Sequence, residues 1–410
     1  MRVRVVIVDF DGGPRTERCV RSVLATELDG GSAVDLSIVV VDNGSAVPVV
    51  GRLGDAGDDR RVEVVRSATN RGFAGGVNLG MGDLDGIDAV ALLNNDTVVP
   101  PGWLAPLVAA LSADASVAAA CPKIRFAGRY RPLVLSPSAP VRLYDFEADG
   151  AVRPAPDLAA VTGVGDDAHR PLRGPSTFWV DSTGPVRMRV GSAGKSAASL
   201  PVRFGETEVD VEVDADARWV EITPSGPSTA LVNNVGTGWR DDGYGHDLGY
   251  LEPDDGRFDV EHDVDAWCGG AVLLRADHMR AVGRLDERLF LYYEDLDLAL
   301  RGRAAGARFR LVPASVVDHE HSATAVSGSS LAEYHKERNR LLLLLRHRGW
   351  AAALRAALAF VVATGGYFRR DVVAALVGRR RPSWTIVGYR VRALGGAIRR
   401  APYFRPGSQP

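Results

Sequence analysis

Apolar residues gather in short β-branched runs at 3–8 and 36–41, and positions 17–28 between them carry apolar side chains at helical spacing. Such runs read as buried strands, and a strand, helix, strand order predicts a parallel sheet. Further strands are expected at 62–66 and 89–93, the latter ending in Asn94-Asn95-Asp96, and helical spacing returns at 103–111. Residues 1 to about 128 therefore read as a nucleotide-binding half of Rossmann character. The texture then changes. Pro132, Pro137, Pro140, Pro154 and Pro156 exclude long helices, and strict alternation appears at 186–190 and 209–213, followed by Trp219-Val220-Glu221-Ile222. Alternation marks antiparallel strands with one wet face, so an inserted, sandwich-like β module is expected. Its outward Arg187, Arg189, Asp210 and Glu212 suit a solvated face and favour a structural role over glycan binding. The expected order is an α/β half over 1–130, the insert over 131–228, a second α/β half over 229–330 and a helical tail over 331–410.

Charge divides the chain at the start of that tail. Residues 331–410 hold fifteen arginines and one lysine against Glu333, Glu337 and Asp371, a local charge of +13, which leaves the first 330 residues at −15 within the overall −2. A basic tail on an acidic body points to an anionic partner. Its aromatics alternate with long aliphatic stretches, which suits an anionic membrane surface and no nucleic acid. The best apolar run, 356–368, has 13 residues between Arg355 and Arg369, short of the roughly 20 that a spanning helix needs. An interfacial amphipathic helix is expected instead. Three scattered cysteines, Cys19, Cys121 and Cys268, fit a reducing compartment. Met1-Arg2-Val3-Arg4 leads straight into a strand without a signal-peptide core. The expected location is cytoplasmic, at the inner face of the plasma membrane.

Five constellations carry candidate chemistry. Asp42, in Val41-Asp42-Asn43-Gly44-Ser45, sits where a parallel strand ends, a place for a base or ribose contact or for an Asx turn. Asn70-Arg71-Gly72-Phe73-Ala74-Gly75-Gly76-Val77-Asn78 can bring backbone amides and Arg71 to a phosphate, or form a turn only; its spacing is not the G-x-G-x-x-G of a dinucleotide oxidoreductase. Asp96, in Asn94-Asn95-Asp96-Thr97, suits a hard divalent ion shared with diphosphate oxygens, or a helix cap before Pro100-Pro101. Tyr293-Glu294-Asp295-Leu296-Asp297 embeds carboxylates among aromatics. Asp295 is the favoured general base, Glu294 its rival, and Asp297 is spaced to pair with Arg301. In Asp318-His319-Glu320-His321 two imidazoles alternate, and His319 is the candidate metal ligand.

Together, Val8-Asp9-Phe10-Asp11-Gly12 and these motifs, in this order, resemble glycosyltransferase family 2, with bacterial rhamnosyltransferase-like and galactofuranosyltransferase-like enzymes of cell-envelope glycans nearest in pattern. The resemblance covers residues 1 to about 128 and 229 to about 345. It implies a GT-A α/β fold, a Rossmann-like mixed sheet flanked by helices, and an inverting transfer from a nucleoside-diphosphate sugar to a glycan or lipid-linked acceptor. It also implies that Asp9, Phe10, Asp42, Asn70, Arg71, Gly72, Asn78, Asn94, Asn95 and Asp96 surround the donor. Asp96 and His319 would hold Mn2+ or Mg2+, Asp295 would be the base, and Trp267, Gly269 and Gly270 would line the acceptor side or serve packing and turns. Two departures stand out. Asp9-Phe10-Asp11 replaces the usual Asn-Tyr-Asn, and Asn94 replaces the first carboxylate of the DxD motif, removing one anionic ligand. The rival from another class is a catalytically inactive nucleotide-sugar or glycan-binding protein.

Overall fold

The computed structural model describes residues 1–27, 34–158, 161, 168–320, 329–376 and 384–408. The chain divides into two units, Met1–Arg125 with Asn233–Gly249 and Gly256–Pro410, and Phe126–Val232 with Tyr250–Asp255. In the first unit β1 (Arg2–Asp9), β2 (Asp35–Asp42), β3 (Val62–Arg66) and β4 (Ala89–Asn94) are parallel in the order β3-β2-β1-β4. The register sets Asp9 beside Asp42, and Val8 beside Asn94. Three of the motifs thus end at one carboxyl edge, where open α/β sheets bind ligands. Helix α1 spans Pro14–Leu24. It starts before the expected 17 because Pro14 supplies a fixed helical φ at the first turn. Position 28, the expected end, lies outside the described residues. Helix α2 (Gly72–Met81) follows β3. Next come β5 (Thr97–Val98), α3 (Leu104–Ala113) and β6 (Val117–Leu135).

Strand β6 continues past Arg125 into the second unit. There β7 (Val141–Glu147), β8 (Val152–Pro154), β9 (Arg170–Leu172), β10 (Ser176–Val180), β11 (Val186–Ser192), β12 (Ala198–Phe204), β13 (Thr207–Val213) and β14 (Arg218–Ile222) form two antiparallel arrays. One runs β14-β11-β7-β9. The other joins β13 and β12 to the end of β6, which also pairs with β10 and through it β8. Leu133, Phe178, Met188, Leu200 and Phe204 are all buried in one apolar core. Outside it, Arg187 bridges Glu147 and lies 4.8 Å over the Trp219 ring. The antiparallel insert read from alternation is therefore present.

The chain returns through β15 (Thr229–Asn234), β16 (Thr237–Trp239), β17 (Gly245–Asp247), β18 (His262–Val264) and β19 (Ala271–Arg275). Strand β19 lies antiparallel to β4, with Ala271 opposite Leu93, so the sheet is mixed. Helices α4 (Ala276–Val282) and α5 (Glu294–Ala304) lead to β20 (Arg308–His319), which pairs with β5 through His319 and Thr97. Helices α6 (Ser330–Leu376) and α7 (Thr385–Arg400) complete the unit. Gly349, at φ 80°, breaks α6 in two, a conformation that costs glycine little. Before the break, Leu341–Leu345 are all buried, each worth about 1.5–3 kcal/mol. This half is a core helix, not part of a surface tail. After the break, Trp350, Leu354, Leu358, Val362 and Phe368 are exposed. The apolar segment also proves longer than the expected 13-residue run. Ser330–Val373 contains a window of mean hydropathy 1.5, long and apolar enough to cross a membrane by length and composition, although only 6% of that window is buried.

Candidate active site

The ends of β1 and β2 are tied by their own carboxylates. Asp9 is fully buried and accepts hydrogen bonds from Thr16 Oγ1 at 2.5 Å, Ser45 Oγ at 2.9 Å, Gly12 N at 3.2 Å and Asn95 Nδ2 at 3.3 Å. Asp42 accepts from the amides of Ser45 and Val49 and from Arg66 Nη1 at 2.8 Å. The two acids shape the loops at the carboxyl edge, Asn95 is drawn into the Asp9 knot, and Phe10 stands exposed above it. A Cβ on Gly12 would lie 2.0 Å from Asn95 Nδ2, so the knot admits no larger residue there.

The glycine-rich segment is organised by Asn43. Its Oδ1 accepts from Arg71 N at 3.0 Å, and its Nδ2 donates to Gly72 O at 3.0 Å and Asn70 Oδ1 at 3.1 Å. Asn70 Oδ1 also accepts from Gly72 N at 2.8 Å. Gly72 has φ 72°, and a Cβ there would meet Phe290 O at 2.2 Å. Arg71 pairs with Glu287 at 3.0 Å, and Asn78 Nδ2 donates to Leu285 O and Glu287 Oε1. Both side chains are engaged with the 285–287 segment. The loop presents to a ligand its backbone amides at the start of α2 more than these side chains.

At the end of β4, Asp96 Oδ1 lies 3.0 Å from His319 Nε2, and both residues are nearly buried. His319 Nδ1 sits 2.9 Å from Asn233 Oδ1. With Nδ1–H donated to that amide oxygen, Nε2 keeps its lone pair and faces a carboxylate, the arrangement that orients a metal-binding imidazole. Donor atoms at right angles about an ion with bonds of about 2.1 Å stand about 3 Å apart, so the pair fits Mn2+ or Mg2+. Asn94 Nδ2 approaches Nε2 at 3.4 Å. Among the described residues no group of three His, Cys, Asp or Glu side chains converges on one point, so an ion held by Asp96 and His319 would need further ligands from outside that set. His321 lies outside the described residues.

The candidate base occupies the first turn of α5, where Asp295 Oδ2 accepts from Gly269 N at 2.9 Å and Oδ1 from Leu296 N at 2.7 Å. Burial pushes its carboxyl above the usual range, and those two amides only partly offset it. Glu294 is buried, its Oε2 has no hydrogen-bond partner among the described residues, and burial followed by the neighbouring Asp295 holds its carboxyl well above the usual range. Asp297 does pair with Arg301, at 3.0 Å, and also with Arg346 and His347. Burial alone would raise its carboxyl; the His347 hydrogen bond and the Arg346 and Arg301 guanidinium groups bring it down to about 2. Gly269 and Gly270 stand between the two centres. A Cβ on Gly269 would meet Asp295 at 3.3 Å, and one on Gly270 would meet Asn94 and His319 at 3.7 and 3.8 Å. Trp267 is 1% exposed and its Nε1 has no partner among the described residues, so its ring packs in the core and offers no surface to an acceptor.

Several members of this cluster carry no motif. Asn233 orients His319, and Asn234 Nδ2 donates at 2.6 Å to Asp247. Burial pushes Asp247 up to about 6, against the Asn234 bond and with help from Asp295. The turn before Asp295 is strained, with φ of 67°, 66° and 72° at Phe290, Tyr292 and Tyr293, each costing about 1–3 kcal/mol. It is held from α6. Asn339 Nδ2 donates to the carbonyls of Leu289, Leu291 and Tyr292 at 3.0, 3.0 and 2.7 Å, and Arg338 to that of Leu289 at 2.6 Å. Arg338 and Asn339 fall within the 229–345 range of the family resemblance, where no motif gave them a role.

Comparison with known proteins agrees with the motifs. The "N-acetylglucosaminyl-diphospho-decaprenol L-rhamnosyltransferase" of Mycobacterium tuberculosis, in strains CDC 1551 / Oshkosh and ATCC 25618 / H37Rv, is 38% identical over 92 residues, which are 22% of this chain. The match spans 30% of the length of those relatives. Among solved structures, GalNAc-T7 with UDP, GalNAc and Mn2+ is 16% identical at a TM-score of 0.48, covering 84% of this chain and 47% of its own. TarS of S. aureus is 11% identical at 0.42, covering 98% of this chain and 82% of its own. The model of the family described as "Glycosyl transferase family 2" matches residues 5–151, which hold the Asp9, Asp42, Gly72 and Asp96 motifs. Over residues 5–151 this chain is similar to glycosyltransferase family 2.

Proposed function

We propose that this chain is an inverting, metal-dependent glycosyltransferase. It would move a sugar from a nucleoside-diphosphate donor to a hydroxyl of a glycan or lipid-linked acceptor, in cell-envelope polysaccharide synthesis. The observation that carries the reading is the placing of Asp295 and the Asp96–His319 pair on either side of Gly269-Gly270. Asp96 and His319 would hold Mn2+ or Mg2+, which when bound supplies positive charge to the departing diphosphate. The amides at the start of α2 and the loops shaped by Asp9 and Asp42 would seat the nucleotide. Asp295, poorly solvated, would in its ionised form take the proton of the acceptor hydroxyl as its oxygen attacks the anomeric carbon. The bond to the diphosphate breaks on the opposite side, so the anomeric centre inverts. The exposed apolar face from Trp350 to Phe368, flanked by Arg355, Arg369 and Arg370, suits docking on an anionic cytoplasmic leaflet.

The deciding experiment titrates a panel of nucleotide sugars into the purified chain with and without manganese, by calorimetry and by nucleotide release. Metal-dependent binding of one donor, with release of its nucleotide when an acceptor is added, is the expected result. Glycan binding with no donor bound under either condition would move the reading to an inactive binding protein.

A further inference from the structure

The first turn of α6 and the outer face of α7 enclose a second recess in the first unit, a groove of about 490 Å³ lined by Ser330, Leu331, Tyr334, Arg392, Gly395 and Arg399. Its volume is within the range of small-ligand sites. Arg392, Gly395 and Arg399 are spaced i, i+3, i+7 and so form one stripe of α7. Gly395 leaves the floor open, since a Cβ there would meet nothing within 4 Å. Neither arginine pairs with a carboxylate among the described residues: Arg392 Nε donates only to Gly388 O of its own helix at 3.3 Å, and the nearby acids are already engaged, Glu333 with Lys336 and Glu337 with Arg340 and Arg390. Positive charge here is in surplus. His335, next to Tyr334, is pushed down to about 4 by burial and then by Arg338 and Arg400. Leu331 is 61% exposed, and Val391 and Ile398 beside the two arginines are 60% and 65% exposed, so the cationic stripe is bordered by bare apolar surface.

We propose that this groove binds the phosphate or diphosphate head of an isoprenoid-type lipid, with Arg392 and Arg399 on the phosphate and the alkyl chain along Leu331, Val391 and Ile398. Arginine forks match phosphate geometry and are stronger than neutral contacts, and the apolar border explains why the ligand is a lipid phosphate and not a free anion. The groove is linked to the chemistry. His335 stacks on Phe290 at 5.2 Å, in the strained turn that leads to Asp295. The proposal deepens the proposed function by naming the part of the acceptor that is gripped, and it rests on that reading.

The test is calorimetric titration of the full chain, in metal-free buffer, with farnesyl phosphate, farnesol and inorganic phosphate. Farnesyl phosphate is expected to bind at least about tenfold more tightly than either partial ligand. R392A and R399A are each expected to weaken it about tenfold, and Gly395→Leu to weaken it by filling the groove. Unchanged affinity in R392A, R399A and Gly395→Leu would overturn the proposal, as would equal affinity for inorganic phosphate. So would binding to phosphatidylglycerol vesicles without binding to farnesyl phosphate, which would mark a bilayer contact. Manganese-dependent donor binding, measured separately on the same proteins, shows whether the transferase reading fails independently.

Discussion

At Asp295 two backbone amides and partial burial act in opposite directions, and burial prevails. A base with a raised pKa gains its proton-accepting form as pH rises, so turnover should climb through the acidic range and level off above that pKa. Asp295→Asn keeps one of the two amide contacts through its Oδ1, turns its Nδ2 towards the other amide, and loses the base. Turnover is expected to fall about 10²–10⁴-fold with donor affinity unchanged in calorimetry, and a matching loss of donor affinity would sink the assignment. Its neighbour Glu294 poses the opposite problem. A buried acid whose folded pKa lies above its unfolded value makes the native state bind more protons, so stability falls as pH rises above the unfolded carboxylate range. Glu294→Gln removes that dependence. The variant should melt higher than the parent at pH 8, with the gap closing towards pH 4, in a thermal melt series.

The same acids show how elements fix one another. Asp297, in the first turn of α5, is buried among Arg301, Arg346 and His347, so Asp297→Ala takes the carboxylate from a buried network, leaving Arg346 with Asp286 and Arg301 with the carbonyls of Val282 and Arg284, and should cost about 3–5 kcal/mol by urea unfolding. Because Asp297 is held down at about 2, its contribution is present above the unfolded value of about 3.9 and is lost as pH falls through 2. The glycine turn before α2 is coupled to the strained turn before α5. Gly72→Ala would bring a methyl against Phe290 O and force a positive φ on alanine, costing at least about 1–3 kcal/mol. Its displacement would pass along the turn to Asp295, so turnover should drop more than donor binding in steady-state kinetics. At this scale the sequence was informative where periodicity was strong. The strand at 62–66 has the expected bounds, and the others run one or two residues further at one or both ends. What it could not show was partnership. Asn43, Asn233, Asn234 and Asp247 are unremarkable letters, and only the sheet order brings the last three near His319 and Asp295. Trp267 stands in a segment that the family shares, yet one-dimensional reading cannot tell a buried ring from a cleft wall.

Across the whole chain, the basic segment is two things joined at Gly349. Much of its charge is internal, because Arg338, Arg340, Arg346 and Arg390 are buried, so the +13 counted from the sequence overstates what a membrane would meet. The exposed apolar face beyond Gly349 is the stronger part of the surface reading. Leu354→Gln, Leu358→Gln and Val362→Gln together should abolish sedimentation with phosphatidylglycerol vesicles while leaving the thermal midpoint within about 1 kcal/mol of stability; retention of vesicle binding would refute it. The half before Gly349 grips the turn that carries Asp295, and Arg346 in turn lies 4.0 Å from the ring of Phe404, which is fully buried. Ribosomes deliver the amino end first, so every candidate carboxylate emerges long before the residues that hold the strained turn. A nascent chain has its chemical groups early but acquires competence late, when Phe404 has cleared the exit tunnel. Any copy clipped ahead of that point should be an inert protein and not an unrestrained one, a step that stalled chains of graded length would reveal.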